Sequence, residues 1–357
     1  MLPFSALIIN KVDIWHGQGY YAQLAVLLIY SYHLFKKNKP LSILFGYVGL
    51  TTLIQFVSIH IATKQYPVLL FLPFYNFLVI IILFDIITTY CNKDFFYKFT
   101  KYFSITFLIL LVYCLMQKLG LDQFYRSIDS RVMGNNNEVV GIMGNPMHNS
   151  HFIAIGLPVL FILKGWWRKL AIYFALLIIV FAGSTSGLVV SLAVLIFGQI
   201  FLRIFNKWEI GIAILLAILF SIFNIHHFNH IFNPSGRIGI WQGYFPIFNE
   251  KPIMGWGLGI INELAKQPKF FQWRHLHFEY YHFAVECGLI AVGLAFWAII
   301  DYFRRFKSAA KDQTTVIMAS IFLAFLLTAL FGFPMHLWVL SVLGIVSYSY
   351  FYRGVQL

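Results

Sequence analysis

Charge is scarce in this sequence. Only 11% of its 357 residues are Asp, Glu, Lys or Arg, and just 13 are acidic. Soluble domains carry about a quarter charged residues, so a water-soluble globular class is excluded. No 100-residue stretch is polar enough to form a separate soluble domain. Cysteine is nearly absent too. Cys91, Cys114 and Cys287 each sit in or beside an apolar run, without metal or redox spacing, which excludes a disulfide framework and a thiolate metal centre. The opening residues lack a basic n-region and a small-residue cleavage site, so no cleaved signal peptide is expected. There is no internal repeat and no low-complexity linker. The net charge of +13 would suggest nucleic acid in a soluble chain. Here no basic patch carries a nucleic-acid motif, and most of the charge lies in short connections between apolar runs, so nucleic acid is not an expected partner.

What remains is apolar surface. Hydrophobic residues make up 60% of the chain, and mean hydropathy is +0.77. A bilayer crossing needs about 20 mostly apolar residues. Eleven such segments can be marked, near 20–35, 41–62, 67–90, 102–117, 151–163, 170–183, 187–204, 209–225, 279–302, 316–333 and 337–352. The expected fold is all-α: a polytopic helical membrane protein of about 11 spans, with residues 1–357 forming a single integral membrane domain. Alternating the spans puts sixteen of the 26 basic residues on one side, all in short connections, among them Lys93, Lys101, Arg168, Lys169, Arg304 and Arg305. Cytoplasmic loops carry the Lys/Arg excess, so that side is read as cytoplasmic. The opposite side holds two long loops, about 118–150 and 226–278, and nearly all the histidines. Long loops in a bilayer protein generally do something. The expected location is the bacterial inner membrane, multi-pass, with the chemistry facing the periplasm and membrane lipids around the spans.

The richest stretch is Ser235-Gly236-Arg237-Ile238-Gly239-Ile240-Trp241, followed by Pro252-Ile253-Met254-Gly255-Trp256-Gly257-Leu258-Gly259. His275-Leu276-His277 then leads into a span containing Glu286 and Gly288. An arginine can fork onto phosphate oxygens and never deprotonates. A histidine at the mouth of a span can exchange a proton near neutral pH. Taken singly, Arg237 reads more simply as a solvated loop cation and His277 as an interfacial histidine. Glu286 and Asp85 are ionisable groups inside spans, which by default mark functional sites. Glu286 reads as bonding a neighbouring helix or touching the site, and Asp85 as a buried hydrogen-bonded group or a proton relay. His226-His227-Phe228-Asn229-His230 and His275-Leu276-His277 invite a metal reading. No cysteine joins them and carboxylates are scarce beside them, so no metal and no cofactor is expected.

The order of these pieces resembles the O-antigen ligase and polymerase superfamily of membrane glycosyltransferases (the Wzy type among them), which use undecaprenyl-diphosphate-linked glycans. That family carries an "R…W…P-x-x-G-x-G" segment in a large periplasmic loop, then a histidine followed at fixed distance by glycine. His277 and Gly288 keep that spacing, while Phe278 and Ala291 depart from the ligase form. Gly141-Ile142-Met143-Gly144-Asn145-Pro146 looks like the family's "G-x-x-G-N-P-N" element, with Met147 in place of the last Asn. Ser184-Thr185-Ser186-Gly187 resembles its "T-x-S-R-G" element without the arginine. The resemblance covers roughly residues 130–300. It implies a GT-C-like membrane fold and a metal-independent, inverting transfer from an undecaprenyl-diphosphate-linked glycan donor to a lipid A-core or glycan acceptor. His277 would be the general base and Arg237 a diphosphate ligand. Arg131, Arg126 and Arg274 are further substrate-binding candidates. The competing class is a polytopic transporter or flippase for a cell-envelope precursor.

Overall fold

In hydrocarbon every backbone N–H and C=O must be satisfied within the protein, which leaves helices as the natural form of long apolar runs. The computed structural model describes residues 38–63, 71–122, 138–206, 237–264 and 275–352, with isolated positions 208, 209, 211 and 215. Among these residues the secondary structure is helical throughout, without strands. In chain order the helices are α1 (Lys39–Thr63), α2 (Phe71–Tyr90), α3 (Lys93–Lys118) and α4 (Pro146–Gly156), which tightens into a 3-10 stretch (Leu157–Ile162). Then follow α5 (Gly165–Phe181), α6 (Thr185–Leu202), α7 (Arg237–Glu250), α8 (Ile260–Leu264), α9 (Glu279–Ser308), α10 (Gln313–Thr328) and α11 (Trp338–Ser349). Three of them, α3, α6 and α9, are long and apolar enough to cross a membrane, and shorter apolar helices accompany them. The expected spans 20–35 and most of 209–225 lie outside the described residues.

The helices sort into two units. The first comprises residues 1–90, 235–307 and 351–357, and the second residues 91–234 and 308–350. In the second unit α10 is the central post, packed against α4, α6, α11 and the 3-10 stretch. It is buried on nearly every face, Thr315, Ile317, Met318 and Phe325 included, as a helix surrounded by other helices must be. Small residues allow the close approaches that membrane helices favour. A Cβ at Gly187 would come within 2.8 Å of Ser150, and one at Gly344 within 2.9 Å of Phe325.

Polar contacts of the second unit fall at its two ends. At one end Lys93 pairs with Asp312 at 2.5 Å, Gln313 Nε2 donates to the Phe161 carbonyl, and Thr315 Oγ1 meets Tyr350 Oη at 2.8 Å. At the other, Gly141 N–H donates to Gln117 Oε1 at 2.7 Å and His151 Nε2 lies 2.9 Å from Ser186 Oγ. Successive helices α3, α4, α5, α6, α10 and α11 connect these two ends in turn. Two expected spans are longer than hydropathy suggested. Residues 151–163 extend back to Pro146, where Asn145 caps the helix by accepting from Met147 N at 2.9 Å. Residues 170–183 extend back to Gly165 through the exposed pair Trp166 and Trp167, whose rings stack at 4.0 Å.

Candidate functional site

In the first unit the break in α9 organises everything else. Gly288 has φ 76° and ψ 175° in the middle of the helix. In an unbroken helix the N–H groups of residues 289 and 290 would bond the carbonyls of 285 and 286. Here the segment Pro252–Gly259 takes both sides of that exchange. Trp256 N–H donates to the Val285 carbonyl at 3.2 Å and Gly257 N–H to that of Glu286 at 2.7 Å. In return Leu289 N–H donates to the Pro252 carbonyl at 2.9 Å and Ile290 N–H to that of Ile253 at 3.4 Å. The two backbones touch, so neither side tolerates a side chain. A Cβ at Gly255 would lie 2.5 Å from Gly288 N, and one at Gly288 would lie 2.6 Å from the Met254 carbonyl carbon. Both glycines also hold a positive φ, open to glycine at little cost. The P-x-x-G-x-G segment and the glycine after His277 are therefore two halves of one backbone joint.

Part of the long loop expected at about 226–278 belongs to this joint. Gly288 is nine residues, roughly 13 Å, along α9 from Glu279. The segment that meets it also reaches α1, where Leu258 N–H donates to Thr52 Oγ1 at 3.2 Å and Tyr47 Oη donates to the Ile253 carbonyl at 3.2 Å. Residues 252–259 thus pack their irregular backbone against α9 and α1 within the first unit.

Helix α7 lies above this joint and shares a core with it: Ile240, Tyr244, Ile260, Ile261, Leu276 and Val285 cluster together. Trp256 is pinned by its Nε1–H to the Ile247 carbonyl at 2.8 Å, and Lys251 Nζ sits 4.0 Å from the centre of its ring. Burial, and after it the Glu286 carboxylate, pushes the Tyr244 phenol up to about 12. Arg237 opens α7 half-buried, and that burial draws its guanidinium below its usual range. One turn on, Trp241 Nε1–H donates to the Leu276 carbonyl at 2.7 Å, and its ring lies 5.9 Å from that of Phe278. His277 stands between those two contacts with φ 52°, a left-handed backbone. Arg237 and His277 therefore flank the same tryptophan, one on its own helix and one on the turn it holds.

Residues 275–278 precede α9 rather than belonging to it, so helical divergence does not separate the two candidate histidines. His275 differs from His277 by its neighbour: its ring stacks on that of His282, with centroids 5.9 Å apart at 26°. His282 Nε2 in turn lies 3.3 Å from Glu286 Oε1, both side chains buried at 2% and 1% exposure. The angle falls short of a hydrogen bond, leaving a close electrostatic contact. The sequence reading singled out Glu286 but missed His282, although the i,i+4 spacing was there to be read. Asp85 on α2 accepts from Thr89 Oγ1 at 3.5 Å.

The other two motifs meet each other in the second unit. Gln117 joins the Gly141 amide to Asp122, donating to Asp122 Oδ2 at 2.8 Å. Asn149, also packed under Gly141, donates to the Val139 carbonyl at 3.4 Å. His151, on the helix opened by Asn145-Pro146, reaches Ser186 of the Ser184–Gly187 element, and Ser184 Oγ lies 3.3 Å from Ser186 Oγ. The ring of His148 packs edge-on against Phe333 at 5.0 Å. Arg126, Arg131 and Arg274, and the histidines of 226–230, lie outside the described residues. Neither a protein-family model nor a curated protein matches the chain.

Proposed function

We propose that this chain is an inner-membrane glycosyltransferase that moves a glycan from an undecaprenyl-diphosphate-linked donor to a hydroxyl acceptor, as an O-antigen ligase or polymerase does. One observation carries the reading. The R…W…P-x-x-G-x-G stretch and the His277-to-Gly288 stretch, far apart in sequence, interlock through Trp241 and the Gly255–Gly288 joint. That gives the motif order a physical reason to exist. In the reaction, His277 takes the proton of the acceptor hydroxyl. The hydroxyl oxygen then forms its bond to the anomeric carbon from the face opposite the leaving group, inverting the centre. The bond from that carbon to the diphosphate oxygen breaks, and the diphosphate leaves with the electron pair. Negative charge grows on the leaving group, and a partly desolvated Arg237 opposes it more strongly than a solvated cation would. About eleven spans, a periplasmic site and cytoplasmic basic loops complete the proposal, supported by the basic-residue asymmetry.

A broken helix also favours a second reading, because transporters bind cargo at such breaks. Against it, the backbone groups freed at Gly288 are taken by residues 252–257 and so are not left for an ion. Purified protein in nanodiscs, given the lipid-linked glycan pool extracted from producing cells, should release undecaprenyl diphosphate only when acceptor is present. Transbilayer movement of the donor in proteoliposomes, with no such release, would replace the transferase by the flippase. Loss of all attached long chains on deleting the gene would mark a ligase, and a core bearing a single repeat would mark a polymerase.

A further inference from the structure

Among the described residues, two non-glycine positions hold a left-handed backbone: Arg203 and His277. Arg203 is the C-cap of α6, an ordinary place for that conformation. His277 has no such excuse. It precedes a helix instead of ending one, and a left-handed backbone is strained for an L-residue. Strain of that kind persists only where the surroundings over-determine it.

One side chain, Trp241, reaches the residues on both sides of that turn. Leu276 is fully buried in the core under α7, and its carbonyl accepts from Trp241 Nε1–H at 2.7 Å. Beyond His277, the Phe278 ring lies against the Trp241 indole, and Tyr281 Oη donates to the Trp241 carbonyl at 3.3 Å. Trp241 thus touches residues 276, 278 and 281 around the left-handed histidine. We propose that Trp241 is the positioning residue of the transfer, holding the Leu276 carbonyl so that the left-handed turn presents the His277 imidazole to the acceptor hydroxyl. This rests on the reading of His277 as general base. A base acts only through a narrow geometry, and a displacement of about 1 Å can cost 100-fold.

The decisive variant deletes the N–H alone. Trp241 is replaced by 3-benzothienylalanine, which keeps the bicyclic shape but carries sulfur in place of the donor; Trp241→Phe is its natural-residue companion. With the lipid-linked glycan pool of producing cells as donor, kcat should fall about 10-fold or more while the donor KM stays within about twofold. The unfolding temperature should stay near wild type for the sulfur analogue, because packing is kept. In a His277→Ala background the same replacement should cost little, since Trp241 would act through an imidazole no longer there. Unchanged kcat in the analogue overturns the proposal, and so does an equal loss with and without His277. Full activity in His277→Ala alone removes the base assignment itself, a failure distinct from the other two.

Discussion

At the residue scale the proposed chemistry reduces to two side chains and their neighbours. His277→Ala should lower transfer about 100-fold or more, the usual size of a general-base contribution, whereas His275→Ala should keep most of it. The structure gives that contrast a basis: His275 stacks on buried His282, while His277 sits on a left-handed turn between residues that Trp241 touches. Turnover at saturating donor and acceptor decides it, and a dead His275→Ala beside an active His277→Ala would exchange the two roles. A chelator should leave every variant's rate unchanged, because the scheme uses no metal. Arg237→Ala should abolish transfer and Arg237→Lys should leave little, since a point charge does not reproduce a bidentate fork. Wild-type turnover by Arg237→Ala at limiting donor would remove it from the diphosphate. His277 and Arg237 were legible because their chemistry is rare among apolar residues. Trp241 was legible only as a letter in a pattern, since its bond to the Leu276 carbonyl spans 35 positions and leaves no local trace.

At the element scale, hydropathy sees length but not interruption. The run from Glu279 to Ser308 reads as one apolar helix because Gly288 breaks the backbone without adding a polar residue. The partner segment 252–259 betrays itself only by three glycines at alternate positions, and its pairing with α9 runs entirely through main chain. Two short apolar runs were under-read in length for a related reason: the first turns of their helices carry Asn145-Pro146 and Gly165-Trp166-Trp167. Gly288→Ala should therefore insert normally yet lose the joint, at a cost of at least 1–3 kcal/mol from backbone strain alone. Limited proteolysis should cut near 252–259 in that variant and spare wild type; equal protection would mean the close contact relaxes. The α10 cap makes a pH prediction. Burial raises the Asp312 carboxyl, but the bonds from Lys93 and Thr315 outweigh it and hold the group below its usual range. A depressed folded value stabilises above the unfolded pKa, about 3.9, and that contribution is lost as pH falls through the folded one. Asp312→Asn retains a capping oxygen and loses the charge, so its unfolding temperature should lie below wild type at pH 7. The gap should narrow progressively below about pH 4, and a gap constant down to pH 2 would exclude the ionised carboxylate as its source.

At the scale of the whole molecule, orientation follows from where charge and polarity collect. In the second unit the helix order sends Lys93, Asp312 and Tyr350 to one end and Gly141, Ser186 and His148 to the other. The first end carries the basic connections that should stay cytoplasmic. The second carries the Gly141–Pro146 and Ser184–Gly187 elements, so a reversed insertion would put them on the cytoplasmic side. Labelling tests the whole arrangement once Cys91, Cys114 and Cys287 are replaced. Ile142→Cys is a suitable outer probe, its parent side chain being 44% exposed at the motif end. Lys266→Cys probes the second long loop, and exposed Ser308→Cys the connection between α9 and α10. A membrane-impermeant maleimide, applied to cells with a permeabilised outer membrane, should label positions 142 and 266 and leave 308 until the inner membrane is opened. Labelling of 308 with protection of 142 would invert the chain and end the case for a periplasmic reaction. Opposite behaviour of 142 and 266 would leave the second unit oriented as proposed and place an even number of crossings between α6 and α7 instead of one, shifting the span count without touching the joint at Gly288.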